Sequence, residues 1–279
     1  MKIFAFADEA SPNVDGQIAA MNRNGLQGLE IRGVDGTNVS QITAEKAKEV
    51  RQKLDDAGLA VWSIGSPIGK IKADEDFAPH MDTFRHTLEI ASILGAPNIR
   101  LFSFYLPKEQ PAAQFRGVVL DRMATLLRTA EGAGITLCHE NEKGIYGDTA
   151  ERCLDLHREL PDLKAVFDPA NFVQCGQDTL AAWQMLAPYV KYLHIKDALA
   201  DGTVVPAGKG AGNVPYIVGQ YLAQGGTVFT MEPHLKVFEG LAALEQEGET
   251  SAIQNAYPTA DAAFDAACGA FRTILEELQ

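Results

Sequence analysis

The chain has 279 residues and 46% of them are hydrophobic, which is typical of one large globular domain or two small ones. Its formal net charge of −13 produces a field that repels phosphate backbones and anionic lipid surfaces, so nucleic acid and membranes are not expected partners. No apolar run is long enough for a signal peptide or a membrane-spanning helix.

The four cysteines are widely separated and form no C-x-x-C pair; they are Cys138, Cys153, Cys175 and Cys268. This spacing favours reduced thiols over a disulfide framework. We therefore expect a cytoplasmic protein.

Short apolar runs that end in polar residues predict eight β-strands. In chain order they cover residues 3–7, 28–32, 60–65, 98–103, 135–140, 163–168, 190–196 and 227–232. Helical patterns lie between them, at residues 15–24, 44–57, 77–94, 115–133, 149–160, 179–187, 216–223 and, after the last strand, 260–278. Glycines 25, 58, 95 and 134 stand just past predicted helices, where a helix stop requires them.

Strict alternation of strands and helices implies a parallel sheet, and eight such units favour a single-domain (β/α)8 TIM barrel over residues 1–279. A doubly wound open sheet is the alternative. The polar and acidic stretch at residues 237–257 interrupts the pattern after the last strand, and we interpret it as a lid or a subunit contact. The sequence is therefore compatible with a homo-oligomer.

In a parallel barrel, functional side chains lie where the strands end. The last four predicted strands end with Glu140, Asp168, His194 and Glu232. Any one of these acids alone is better explained as a strand cap or as the partner of a Lys or Arg. Three carboxylates at one end of a barrel, however, repel each other strongly unless a cation accompanies them. The four together predict a site for one divalent metal ion, namely Mn²⁺, Mg²⁺, Co²⁺ or Zn²⁺.

The sequence resembles the xylose isomerase-like TIM barrel superfamily, in particular its sugar phosphate isomerase/epimerase branch. The resemblance spans nearly the whole chain and is carried by six segments, GLEIR at residue 28, GSP at 65, EN at 140, FDPAN at 167, HIKD at 194 and MEPH at 231. It implies that Glu140, Asp168, His194 and Glu232 bind the metal. It also implies that the two glutamates exchange a substrate proton.

The implied reaction moves a proton on a carbon next to a carbonyl through an enediolate that the metal stabilises. Glu140 and Glu232 are the candidate catalytic pair, and one of them removes the proton. Return of a proton to the opposite face of the same carbon gives epimerisation, whereas return to the neighbouring carbon gives isomerisation. The expected substrate is a carbohydrate or a sugar derivative.

Further candidates for substrate contact are Lys196, Asn171, His234, Glu30 and Lys209. Lys196 could equally form a salt bridge with a neighbouring acid. Lys209 lies in the glycine-rich run 208–212, which superficially resembles a phosphate loop but lacks the full spacing, so we interpret it as a flexible loop. Arg100 begins its strand, and we favour a structural role for it at the opposite rim. Asn171 stands where ketose 3-epimerases tend to carry a histidine. We therefore do not infer a particular sugar substrate from the resemblance.

Three other functions remain open. Proton abstraction next to a carbonyl also begins β-elimination, so a lyase or hydrolase of keto-glycosides is the main enzymatic alternative. A non-catalytic sugar-binding barrel is a second, since a fold does not prove activity. A DNA-repair endonuclease is disfavoured by the acidity of the chain and by only six histidines, too few for a multinuclear zinc cluster.

Overall fold

A computed structural model of the protein describes residues 1–239, 241, 252–253 and 256–278. Eight parallel strands close into a barrel in the order β1-β8-β7-β6-β5-β4-β3-β2. The strands are β1 Lys2–Ala5, β2 Gly28–Ile31, β3 Ala60–Gly65, β4 Asn98–Leu101, β5 Thr136–Glu140, β6 Lys164–Phe167, β7 Val190–Ile195 and β8 Val228–Met231. The predicted TIM barrel is thus confirmed, and the open sheet is wrong.

Helices surround the barrel. They are α1 Val14–Arg23, α2 Ala44–Asp56, α3 Ala78–Leu94, α4 Arg116–Ala130, α5 Ala150–Glu159, α6 Pro169–Gln174, α7 Thr179–Leu186, α8 Val214–Ala223 and α9 Ala260–Glu277. Gly95 ends α3 in the left-handed region at φ 68°, as its position predicts. The prediction for α4 extended three residues too far, because the helix ends at Ala130 and the chain turns through Gly132 and Gly134, both with positive φ.

Helix α6 was not predicted. It begins directly after Asp168, whose side chain accepts a hydrogen bond from the Asn171 backbone N–H at 2.9 Å, and Pro169 occupies the first helical position. An aspartate cap followed by proline is a recognisable helix start. Six residues are too few to show an apolar period, which explains why the pattern missed the helix.

The barrel interior is built in layers. Its lower layer is a cluster of buried side chains, Phe4, Cys138, Val166, Tyr192 and Val228. Because side chains on one face of a strand recur every second residue, the next inward position of β5, β6 and β7 falls at the carboxyl ends of these strands. Those positions are occupied by Glu140, Asp168 and His194.

Two short antiparallel ribbons extend from the carboxyl end of the barrel. One pairs Gly33–Val34 with Thr37–Asn38, and the other pairs Asp197–Ala198 with Val204–Val205. Val204 also donates its N–H to the Ala252 carbonyl at 3.0 Å. Most of the segment interpreted from sequence as a lid or subunit contact, residues 240, 242–251 and 254–255, lies outside the described residues. No described helix is both long and apolar enough to cross a bilayer.

Two histidines are buried between β5 and the helix that follows it. The rings of His139 and His157 lie 6.0 Å apart, and His157 Nδ1 is 3.1 Å from the Leu163 carbonyl, so Nδ1 carries the proton that it donates. Burial lowers the pKa of His157 from 6.5 to about 4. The folded protein therefore holds this histidine neutral at pH values where the unfolded chain protonates it.

We predict that acidification destabilises the fold through His157. Below pH 6.5 the unfolded chain binds a proton that the folded protein does not, so His157 alone lowers the free energy of unfolding by about 2 kcal/mol between pH 7 and pH 5. Urea denaturation of wild type and His157→Gln at both pH values measures this difference. An equal loss of stability in the two proteins would contradict the assignment.

Candidate metal centre

Four side chains from neighbouring strands meet at the carboxyl end of the barrel. One potential ligand atom from each of Glu140, Asp168, His194 and Glu232 lies within 4.8 Å of the others. His194 Nδ1 is 3.0 Å from Glu140 Oε1 and 3.1 Å from Glu232 Oε2. None of the four residues is more than 5% exposed. The residues that the sequence predicted as ligands are therefore brought together.

The donor set fits a divalent cation. Ligands about 2.1 Å from a common ion lie at most about 4.2 Å from one another, a spacing that this cluster reaches with small side-chain adjustments. Asp168 Oδ2 is buried and makes an ion pair but no hydrogen bond, so a lone pair is available there. Burial, together with the neighbouring Glu232 and Glu140, raises the pKa of Asp168 to about 7 although Lys196 opposes this. Three carboxylates and one imidazole suit Mn²⁺, Mg²⁺, Co²⁺ or Zn²⁺.

The orientation of His194 is fixed from below. Its Nε2 is 3.0 Å from Glu30 Oε2, and Glu30 Oε1 accepts a hydrogen bond from the Tyr192 hydroxyl at 2.8 Å. A proton held on Nε2 by this carboxylate leaves the Nδ1 lone pair directed at the cluster, as in many metal-binding histidines. Glu30 is fully buried and does not line the cavity. The structure therefore places Glu30 beside His194, whereas the sequence suggested it as a substrate contact.

The two glutamates have matching environments. Each directs one oxygen toward His194 and the other toward an arginine. Glu140 Oε2 is 3.1 Å from Arg100 Nε, and Glu232 Oε1 is 3.4 Å from Arg32 Nη1. Both arginines line the cavity, although each is at most 4% exposed. The outer carboxylate oxygens are thus held in place by ion pairs with two different arginines.

The sequence did not predict that Arg32 and Arg100 contact the two glutamates. Arg100 faces the barrel interior above Asn98 and does not lie at the opposite rim, so that expectation was wrong. The two-residue period within β4 is the signal that could have placed it. Arg32 also binds Asp8, with contacts of 2.8 and 3.0 Å, and Glu9 at 3.2 Å. No spacing rule links residues 8 and 9 to residue 32.

Three predicted substrate-contact residues do line the cavity: Lys196, Asn171 and His234. Lys196 Nζ lies 2.9 Å from Asp168 Oδ2 and 3.4 Å from Glu232 Oε2. Burial alone lowers the pKa of Lys196, but these carboxylates outweigh it and raise the pKa well above its usual value. The lysine is therefore charged, and it forms the salt bridge that the sequence left as an alternative.

Asn171 and His234 are fixed by other contacts. Asn171 Nδ2 donates to the Asn141 carbonyl at 2.9 Å and lies 3.3 Å from Glu140 Oε1. His234 has a positive φ of 45° and donates its backbone N–H to Glu9 Oε2 at 2.6 Å. Its ring stacks on Phe238, with centroids 5.6 Å apart. Both side chains thus present fixed polar groups beside the two glutamates.

Lys209 is not part of this site. It is exposed and does not line the cavity. The neighbouring glycines 208, 210 and 212 all direct their backbone N–H groups at the Asp197 carboxylate, each at 2.9 Å. A Cβ at Gly212 would lie 2.7 Å from Asp197 Oδ1, so the close approach requires glycine. The expectation of a flexible loop with a substrate-contacting lysine is therefore corrected: Asp197 orders the loop.

The cavity above the cluster has a volume of about 250 Å³. Its deep end carries the polar groups described above. Its lining also includes the apolar side chains of Pro67, Phe102 and Leu241 and the carboxylates of Glu142 and Asp201. A polar small molecule can therefore reach the cluster from solvent.

The structure thus places the protein among the (β/α)8 barrels and gives it a buried group of potential metal ligands at the carboxyl ends of its strands. A sequence profile of the xylose isomerase-like TIM barrel family matches residues 18–248. The chain belongs to this family.

Two curated proteins have related sequences. The uncharacterized protein YihM of Escherichia coli (strain K12) is 23% identical over 202 residues, 71% of this chain and 56% of that protein. A 3-dehydroshikimate dehydratase of Bacillus anthracis is 22% identical over 176 residues, 62% of each chain. The matched region thus spans less than two thirds of either relative.

Solved structures match over almost the full length. The probable 3-DHS dehydratase AsbF of Bacillus anthracis has a TM-score of 0.73 at 17% identity, covering 98% of this chain and 99% of that one. An L-ribulose 3-epimerase has a TM-score of 0.75 at 18% identity, with 99% and 95% covered. The IolI protein, whose structure contains a bound zinc atom, has a TM-score of 0.75 at 15% identity, with 100% and 99% covered. At these identities the similarity establishes the fold.

We predict that Asp168→Asn weakens Mn²⁺ binding by at least about 100-fold, because the substitution removes a ligand charge. Asparagine retains the oxygen that caps α6, so the fold should be preserved. Titration calorimetry with Mn²⁺ measures the change. Asp178→Asn is a matched control, since Asp178 is exposed and caps α7 in the same way. Unchanged Mn²⁺ affinity in Asp168→Asn would contradict the ligand assignment.

Proposed function

We propose that the protein is a divalent-metal-dependent carbohydrate isomerase or epimerase. The observation that carries this proposal is the paired arrangement of Glu140 and Glu232. Glu140 ends β5 and Glu232 follows β8, and each has one oxygen near His194 Nδ1 and a second oxygen paired with a different arginine of the cavity lining. Two carboxylates so placed can reach a substrate carbon from two directions, which epimerisation requires.

The metal would be held by Glu140, Asp168, His194 and Glu232, and it would supply a Lewis acid that polarises a substrate carbonyl. The protein's own groups would carry the proton. Glu140 Oε2 and Glu232 Oε1 are the atoms proposed to remove and return it, because the inner oxygens face His194. Arg100 and Arg32 hold these outer oxygens in place through ion pairs.

Three further side chains would bind the substrate. Lys196 places a positive charge between Asp168 and Glu232, where negative charge on a substrate oxygen would be stabilised. Asn171 and His234 offer hydrogen bonds beside Glu140 and Glu232. The burial of this end of the cavity strengthens each of these electrostatic contacts.

A lyase is the second candidate. It is favoured by the similarity to dehydratases, because proton removal next to a carbonyl also begins loss of water or of an alcohol. The same glutamate would act as base. The two reactions differ in product: elimination leaves a conjugated double bond that absorbs ultraviolet light, whereas isomerisation and epimerisation do not.

We predict that the metal-loaded protein exchanges a carbon-bound proton of its substrate with solvent deuterium. Proton NMR in deuterated water, with a panel of ketoses, aldoses and keto-sugars, detects this exchange. Glu140→Gln and Glu232→Gln should each slow it by about 10²–10⁴-fold, the usual contribution of a general base. Ultraviolet absorbance of the same samples detects the lyase reaction.

Glu131→Gln is the matched control, because Glu131 is exposed in the loop before β5, at the opposite end of the barrel. It should exchange as wild type does. If both active-site variants kept full exchange and full metal content, the proton-transfer roles would be wrong. A protein that binds metal and sugar without any exchange would instead be a sugar-binding barrel.

A further inference from the structure

We infer that the substrate is an uncharged carbohydrate and not a sugar phosphate or a sugar acid. This inference rests on the proposed function and specifies the substrate class of the same site. It follows from the charges that surround the cavity, from the hydrogen bonds of the glycine-rich loop and from the charge of the whole chain.

The ion pairs beside the ligand cluster form two groups that His194 joins. Their cations are Arg32, Arg100 and Lys196. Their carboxylates are Asp8, Glu9, Glu30, Glu140, Asp168 and Glu232. With the two charges of a divalent ion and His194 neutral as a ligand, the site has one more negative than positive charge when all six carboxylates are ionised. The charges are balanced when Glu9, whose pKa burial raises to about 8, holds its proton. The loaded site therefore has no excess positive charge for an anion.

The cations are also engaged individually. Arg32 directs its guanidinium at Asp8, Glu9 and Glu232. Arg100 donates Nη1 to the Ser66 carbonyl at 2.9 Å in addition to its pair with Glu140. A phosphate would have to take these groups from carboxylates that are themselves buried and would be left without a partner.

The outer part of the cavity does not supply the missing charge. Lys70 Nζ lies 3.4 Å from Glu142 Oε2, and the lining also includes one further cation, Lys143, and one further carboxylate, Asp201. Approach from solvent is opposed as well, since the chain has a net charge of −13.

The glycine-rich loop offers no phosphate site either. Backbone N–H groups at such a loop before a helix can bind an anion. Here the N–H groups of residues 208, 210 and 212 already bind the Asp197 carboxylate, which holds the place that a phosphate would take. Uncharged hydroxyl groups, by contrast, can both donate to carboxylates and accept from Lys196 and Asn171 without disturbing the charge balance.

The test compares each of four ketohexoses, D-fructose, D-psicose, D-tagatose and D-sorbose, with its own 6-phosphate on Mn²⁺-loaded protein. Titration calorimetry at low and high ionic strength gives direct binding, and deuterium exchange gives turnover. At least one free ketohexose should bind with an affinity that does not depend on salt. Its phosphate should bind at least about tenfold more weakly at low salt, with the difference shrinking as salt screens the charges.

Asp201→Asn removes one negative charge at the cavity mouth, and it should strengthen phosphate binding about threefold at low salt. Asp162→Asn removes the same charge at the opposite end of the barrel and should not. Tighter binding of the phosphate than of its parent sugar would overturn the inference while leaving the isomerase proposal intact. Absence of both binding and exchange with every sugar, free or phosphorylated, would overturn the proposed function and this inference together.

Discussion

The contacts of His194 organise the whole site. Its Nδ1 lies about 3 Å from an oxygen of each glutamate, and its Nε2 is anchored on Glu30. Because the ring is fully buried and held from below, it can present only one nitrogen to the cluster. The two glutamates therefore meet at one nitrogen of a fixed imidazole, and the second oxygen of each pairs with an arginine of the cavity lining. The proposed proton transfer depends on that arrangement.

The barrel makes this arrangement stable. Strands β5, β6 and β7 place apolar side chains in the lower layer and acids or imidazole in the layer above, one step of the two-residue period later. Asn141 ties two of these strands together, since its side chain both donates to the Asp168 carbonyl and accepts from the Asp168 N–H, each at 2.9 Å. Mutual repulsion of the carboxylates is thus opposed by fixed backbone contacts and by the arginines and lysine around them.

Sequence patterns predicted the four cluster residues because each lies near the end of an apolar run, and strand ends converge in a parallel barrel. The same patterns could not predict contacts between side chains on different parts of the barrel. Arg32 meets Asp8 and Glu9, and Arg100 meets Glu140, through strand curvature and register that no local period encodes. The surroundings of Glu30 and Lys209 also depend on distant residues. Glu30 is held beneath the cavity by His194. The loop that carries Lys209 is ordered by the Asp197 carboxylate, which accepts hydrogen bonds from its N–H groups.

The central claim is that these four side chains bind one divalent ion. Crystals grown with Mn²⁺ and measured near the manganese absorption edge test it most directly, because anomalous scattering locates the ion independently of activity. The account predicts one strong peak in contact with Glu140, Asp168, His194 and Glu232. A peak at the neighbouring group formed by Glu9, Glu232 and His234, or no peak at saturating Mn²⁺, would contradict it.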